Sequence, residues 1–240
     1  AKARGRQLVL SEGDDPRTRA AALALVRGAD AGVPLIGGDA CRDWAGREAP
    51  AVRVRTPATD PSLESVARHL AARRPDRCAS PAAARALAAD PLRFAASLVA
   101  LGEADATVGG AVHSTGDVLR AALWAVGPAP GITTVSSSMY MVTQPYGVLT
   151  FTDCGVVQYP TADQLADSAL AAARDRRRIV GDEPRVAFLS HGTRGSAAGE
   201  SIDRVRAALA ALRRLAPDLP ADGELQADAA LVPEIAERKA

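Results

Sequence analysis

An apolar run, Ala104 to Val108, passes directly into Gly109-Gly110-Ala111-Val112-His113-Ser114-Thr115-Gly116-Asp117-Val118-Leu119-Arg120. This strand, small-residue turn and amphipathic helix constrain the chain more than any other segment. The pattern recurs at Leu10 to Leu25 and at Val186 to Leu209, and such alternation implies an α/β fold with largely parallel sheets. Ser114 and Asp117 have the spacing of a capping box, which predicts a helix N-terminus there. A turn of this kind presents unpaired backbone N–H groups at a positive dipole end and suits a phosphate or carboxylate. Arg120, one turn onward, would add a positive charge.

Strands are expected at Gln7 to Ser11, Val33 to Ile36 and Val52 to Arg55. Asp15-Pro16 supplies a cap and a first-turn proline for a helix reaching about Ala31. Helices are also predicted over Pro61 to Arg74 and after Asp90-Pro91. Pro128-Ala129-Pro130-Gly131 is the strongest break, so residues 1–130 and 131–240 are expected to form two domains. Beyond it, strands are predicted at Ile132 to Ser136, Val148 to Thr152 and Arg185 to Ser190. Helices are predicted from Thr161, with Gln164 completing a capping box, and over Ser201 to Leu215. The basic cluster Arg174, Arg176, Arg177 and Arg178 reads as a solvated helix end.

Net charge is +1 and aromatics make up 3% of the chain, which argues against nucleic acid or an anionic membrane as partner. Three scattered cysteines, Cys41, Cys78 and Cys154, suit neither a zinc site nor a disulfide framework. With no apolar stretch of membrane-spanning length and no signal-peptide pattern, a soluble, cytoplasmic protein is expected.

Ser190-His191-Gly192-Thr193-Arg194-Gly195-Ser196-Ala197-Ala198-Gly199-Glu200 joins a strand to a helix, and reads equally as a phosphate cradle or an ordinary flexible loop. Its glycines permit close backbone approach, and Thr193 and Ser196 offer hydroxyls. Asp222, Glu224, Gln226 and Asp228 would share one side of an extended segment, ordinarily a solvent-facing edge. Cys154 has no apparent activating neighbour and reads as plain core. His113 is a candidate general base or ligand contact, because histidine is the residue type that exchanges a proton near neutral pH, although a histidine beside a capping turn more often bonds the backbone.

Together these segments resemble the phosphate acetyltransferase (phosphotransacetylase) family, which includes the phosphate butyryltransferases. The matching pieces run in order from Leu10-Ser11-Glu12-Gly13-Asp14-Asp15-Pro16-Arg17-Thr18 through Asp90-Pro91 to Gly110-Ala111-Val112-His113-Ser114-Thr115-Gly116-Asp117. They continue with Ala129-Pro130-Gly131-Ile132, Val135-Ser136-Ser137, Asp153-Cys154, Pro160-Thr161, Gly195-Ser196, Gly199-Glu200, Asp222-Gly223-Glu224-Leu225-Gln226 and Val232-Pro233-Glu234. The resemblance implies two α/β domains flanking a cleft, in a homodimer. It also implies reversible transfer of an acetyl group between coenzyme A and inorganic phosphate by direct thiolate attack on acetyl phosphate. Coenzyme A is then a substrate, and neither cofactor nor metal is implied. The substrate-binding residues implied are Arg74, His113, Ser114, Thr115, Arg120, Thr193, Gly195 and Ser196.

The family's Ser-Arg pair and following Asp, to which the resemblance assigns phosphoryl gripping and thiol deprotonation, match no position here. The C-terminal portion of the family fold is therefore expected to be missing, and the catalytic residues are unassigned. Local departures are Gly192 for a hydroxyl residue, Ala198 for a lysine, Val157 for an asparagine and Ala121 for a proline. The competing expectation is a catalytically silent module of the same fold that binds coenzyme A esters or acyl phosphates. A nicotinamide-dependent dehydrogenase is disfavoured, since no dinucleotide fingerprint follows any expected strand.

Overall fold

The computed structural model describes residues 5–28 and 31–239, and chain contacts divide it into Ala1–Gly127 and Pro128–Ala240. In the first unit, β1 (Arg6–Leu10), β2 (Ala31–Gly32), β3 (Leu35–Ile36), β4 (Val54–Arg55) and β5 (Ala106–Val108) form one parallel sheet. Leu10 pairs with Leu35 of β3 and with Val108 of β5, so β1 lies between those two strands. Helices α1 (Pro16–Gly28), α2 (Asp39–Glu48), α3 (Leu63–Arg73), α4 (Pro81–Ala88), α5 (Pro91–Ala100) and α6 (Thr115–Ala125) complete the unit.

The helix expected to reach about Ala31 is shorter: α1 ends at Gly28, and Ala31 pairs with Arg6 as part of the sheet. Glycine is a poor helix residue, and backbone pairing with β1 holds this segment extended. Helices α2 and α4 carry no expectation above. Asp90 caps α5 by accepting from the Arg93 amide. Phe94 and Leu98 on α5 are fully buried with Val66 and Leu70 of α3. A second cluster places Leu10, Leu35 and Cys41 against Ala22.

Arg55, at the end of β4, forms a buried bidentate pair with Asp60 at 2.8 and 2.7 Å, and its guanidinium also lies over Phe94. Removing one partner of such a pair leaves a buried charge uncompensated. Asp60→Ala is therefore expected to lower the stability of this unit by about 3 kcal/mol in urea denaturation. A loss below a few tenths of a kcal/mol would show that Glu103 and Ser62, the other partners of Arg55, suffice.

The second unit begins with a correction. No strand forms over Ile132 to Ser136; instead β6 (Ser138–Thr143) and β7 (Gly147–Thr152) make an antiparallel hairpin. The turn explains it: Gly147 has φ +66°, and the Thr143 hydroxyl accepts from the Tyr146 amide, the geometry of a short hairpin loop ending on a left-handed residue. This sheet is not parallel, whereas β8 (Val186–Leu189) and β9 (Ala221–Leu225) are.

Two long helices, α7 (Ala162–Ile179) and α8 (Glu200–Leu215), pack through Ala166, Ala169 and Ala173 against Ala208, Leu209 and Leu212. The Thr161–Gln164 capping box opens α7 with both reciprocal bonds present. Arg176 in the basic cluster bonds Asp182, the Val148 carbonyl and the Thr150 hydroxyl, so it ties α7 to the hairpin. Two short helices, α9 (Ala227–Leu231) and α10 (Pro233–Lys239), follow β9. Gln226 is the cap of α9 and Asp228 lies inside it, so the four polar residues from Asp222 to Asp228 do not share one extended face.

Candidate functional site

The turn between β5 and α6 does hold a carboxylate, and it belongs to the protein. Glu12, immediately beyond β1, is buried and accepts from the amides of Gly110 (2.7 Å), Ala111 (2.6 Å), Val112 (3.0 Å) and His113 (2.8 Å). The expectation of unpaired amides along this turn is thus corrected: β1 and β5 run side by side, so the residues after each strand meet. Close approach is possible because Gly109 has no side chain; a Cβ there would lie 2.5 Å from the Ser11 hydroxyl. Burial alone would push the Glu12 carboxyl up, but the bonds from the His113 amide and ring, Val112 and Ala111 outweigh it. They hold its pKa at about 2.

His113 does not bond the backbone through its ring. Its Nδ1 lies 2.7 Å from Glu12 Oε1, and the ring is about one-third exposed. An ionised carboxylate only accepts, so Nδ1 is the donor and carries the proton. Arg17 reaches the same turn from α1, donating to the Ala111 carbonyl while paired with Asp15.

Ser114 caps α6, accepting from the Asp117 amide; its hydroxyl also donates to the Asp117 carboxylate at 2.7 Å. The reciprocal half of a capping box is therefore replaced by a side-chain bond. Thr115 is exposed at the first helical position, and its amide and that of Gly116 have no acceptor among the described residues. Arg120 is exposed and paired with Asp117 at 2.7 Å.

Arg74 ends α3, bonds Asp76 through two nitrogens and lies 4.6 Å from the centre of the Trp124 ring. Arg93 of α5 lies 4.8 Å from the same ring, and its buried Nε has no partner. The structure thus sets two guanidinium groups, from α5 and the end of α3, on one indole of α6, and Arg120 lies one helical turn from that indole in sequence. Neither Arg93 nor Trp124 was anticipated above. A tryptophan at i+4 from a candidate arginine was the available signal.

The loop after β8 is likewise closed on itself. Thr193 is buried; its hydroxyl accepts from the Gln226 amide, and its own amide donates to the Ser196 hydroxyl. Arg194 (φ 40°) and Gly195 (φ 86°) form a tight turn closed by the Ser196 amide on the Thr193 carbonyl. Positive φ at both central residues is the mirror-image turn that favours glycine. The Gly195 amide donates to Glu224, which also takes two bonds from Arg206. Arg206 first, opposed by burial and aided by the Gly195 amide, holds the Glu224 carboxyl at about 2. Gly192 stands where the resemblance implied a hydroxyl residue, and a Cβ there would meet the Ala197 Cβ at 2.6 Å.

Asp153 repeats the device beyond β7. Burial raises its carboxyl, but the Val157, Ser137 and Val156 amides and the Ser137 hydroxyl together bring it to about 2. Since Val157 bonds through its amide, the replacement of asparagine leaves that contact intact. Cys154, expected in the core, is exposed just past the strand end.

Comparison with known proteins gives a consistent result. The family model described as phosphate acetyl/butaryl transferase matches residues 1–240. The phosphate acetyltransferase of Paracoccus denitrificans is 44% identical over 245 residues, covering 100% of this chain and 74% of that protein. A phosphotransacetylase from Streptococcus pyogenes superposes with a TM-score of 0.89 at 30% identity, covering 100% of this chain and 74% of that one. The EutD phosphotransacetylase from Staphylococcus aureus superposes with a TM-score of 0.86 at 29% identity and the same coverages. By sequence along its whole length, and by the fold just described, this chain belongs to the phosphate acetyl/butaryl transferase family.

Proposed function

We propose that the protein is a phosphate acetyltransferase, interconverting acetyl-CoA and phosphate with coenzyme A and acetyl phosphate. The observation that carries this reading is the match to proteins of that activity over all 240 residues, at 44% identity for the Paracoccus denitrificans enzyme. The chemistry needs a thiol and a mixed anhydride held in line, with charge stabilised at the carbonyl and phosphate oxygens. The thiol and the anhydride supply every electron pair in the exchange, so the balance calls for no redox group. Coenzyme A enters as substrate.

In this reading Arg74 and Arg93, which lie over Trp124, and Arg120, one turn along α6, receive the phosphates of coenzyme A. Guanidinium groups suit phosphate through paired N–H donors, and stacking on an indole fixes their planes. The Thr115 and Gly116 amides at the start of α6 and the Thr115 hydroxyl offer a second anion contact. In the second unit, Thr193, Gly195 and Ser196 shape their loop internally, so their contribution is to hold its backbone for a ligand. We place the enzyme in solution as a homodimer in the cytoplasm, in keeping with its family; no helix among the described residues is long and apolar enough to cross a membrane.

The test is acetyl-CoA formation from acetyl phosphate and coenzyme A by the complete protein, followed by thioester absorbance, with butyryl phosphate compared as donor. Arg120→Ala is expected to raise the KM for coenzyme A about tenfold with little change in kcat, the loss of one charged contact of about 1.4 kcal/mol. An unchanged KM would remove Arg120 from the site.

A further inference from the structure

Beside the β8–β9 pair the second unit has a hollow of about 460 Å³, large enough for a small metabolite. Three arginines from three elements line it: Arg185 just before β8, Arg194 in the loop after β8, and Arg213 in the last turn of α8. Asp222 of β9 is the only carboxylate of the lining among the described residues, so three guanidinium groups leave a surplus of two positive charges. Asp222 is already satisfied. It accepts from Arg194 at 2.6 Å and from the Gly223 amide at 2.9 Å, while Arg213 stands 4.0 Å away. Arg213 donates instead to the Ala221 carbonyl at 3.1 Å through one nitrogen, which leaves the rest of its donor fork open. Arg185 has no hydrogen-bond or ion-pair partner among the described residues. Arg194 has φ 40°, the one positive value at a non-glycine among the described residues. That region is costly for a residue with a Cβ, and residues held there concentrate at functional sites. Val186 and Pro220 add an apolar wall beside the charges.

We propose that this hollow binds a metabolite carrying a diphosphate group, of which a nucleoside diphosphate is the simplest kind. Arg185 and Arg213 hold the phosphate oxygens, since guanidinium forks match that geometry with paired donors. Arg194, anchored on Asp222, sets the positive floor of the hollow, and the organic part of the ligand lies against Val186 and Pro220. The two surplus charges balance a diphosphate, whereas the Arg194–Asp222 pair by itself would need neither of the other two arginines. Coenzyme A also carries a diphosphate, so the two sources of this chemistry have to be separated by experiment. The inference goes beyond the acetyltransferase reading and does not depend on it.

The experiment titrates the complete protein calorimetrically with sodium pyrophosphate and with ADP, in the presence of excess coenzyme A so that the substrate's own contacts are filled. Both probes are expected to bind. Arg185→Gln and Arg213→Gln should each weaken both about tenfold, the loss of one charged contact. Both side chains are exposed, so the urea midpoint should stay unchanged. Arg178→Gln, which removes an exposed arginine of α7 outside the hollow, should alter either affinity less than twofold. Absence of pyrophosphate binding overturns the inference, as does pyrophosphate binding without ADP binding. Equal losses in Arg178→Gln and Arg185→Gln would reduce the effect to general surface charge and also overturn it. Binding that disappears when coenzyme A is added assigns the diphosphate to the substrate, with the same consequence. The titration reads binding alone, so each of these results leaves the acetyltransferase reading to its own assay.

Discussion

Glu12→Ala is expected to lower the unfolding free energy of the first unit by about 5 kcal/mol, the largest single-residue loss among the described contacts. The substitution strands four amide donors, those of Gly110, Ala111, Val112 and His113, and removes the partner of the His113 ring. Each hydrogen bond to a charged group contributes about 2 kcal/mol, and partial hydration of the opened turn recovers some of the total. Both tryptophans, Trp44 and Trp124, lie in the first unit, so indole fluorescence in urea follows this unit without interference from the second. Glu12→Gln should give an intermediate loss, because one amide oxygen still accepts while its NH2 faces donors. A drop below about 1 kcal/mol for Glu12→Ala would mean that water satisfies the turn as well as the carboxylate does.

The second large effect is acid lability in both units. Glu12, Asp153 and Glu224 are each held at about 2 in the folded protein, below the ordinary carboxylate range of the unfolded chain, about 4. A carboxyl with a depressed folded pKa favours the folded state wherever it is ionised in the unfolded chain. That contribution is complete above about pH 5 and drains away as pH falls toward 2. For Glu12 the difference corresponds to about 3 kcal/mol. Stability should therefore be level between pH 7 and 5 and fall by several kcal/mol between pH 4.5 and 2. Tryptophan fluorescence reports the first unit; all three tyrosines, Tyr140, Tyr146 and Tyr159, lie in the second. Glu12→Gln should flatten the acid slope of the first unit alone. If wild-type protein is as stable at pH 3 as at pH 7, these carboxylates are not acting as described.

Much of the local architecture was legible in the residues. Asp90-Pro91 and Thr161 with Gln164 announced two helix starts, and both caps formed with the expected bonds. Strand-forming runs at Leu8 to Leu10 and Val186 to Leu189 stood out from their surroundings, and they pair in parallel as the alternation required. The strand before Val148 to Thr152 was misplaced because Ile132 to Ser136 is as β-prone in composition as Ser138 to Thr143. Only pairing with Gly147 to Thr152 distinguishes them. Arg74 and Arg120 were readable as candidate cations, but the meeting of Arg74 with Arg93 over Trp124 was not.

What the amino-acid order determined by itself was therefore whatever a hydrogen bond or an apolar stripe decides within a few residues: helix starts, most strand positions and the family pattern. Tertiary structure alone decided which donors were already taken. The amides of Gly110 to His113 look open in the sequence because their acceptor, Glu12, lies about a hundred residues away. Glu224 fills the Gly195 turn from 29 residues away in the same manner. A turn's own residues specify that its amides need a negative partner, but the packing of neighbouring strands determines which carboxylate arrives first.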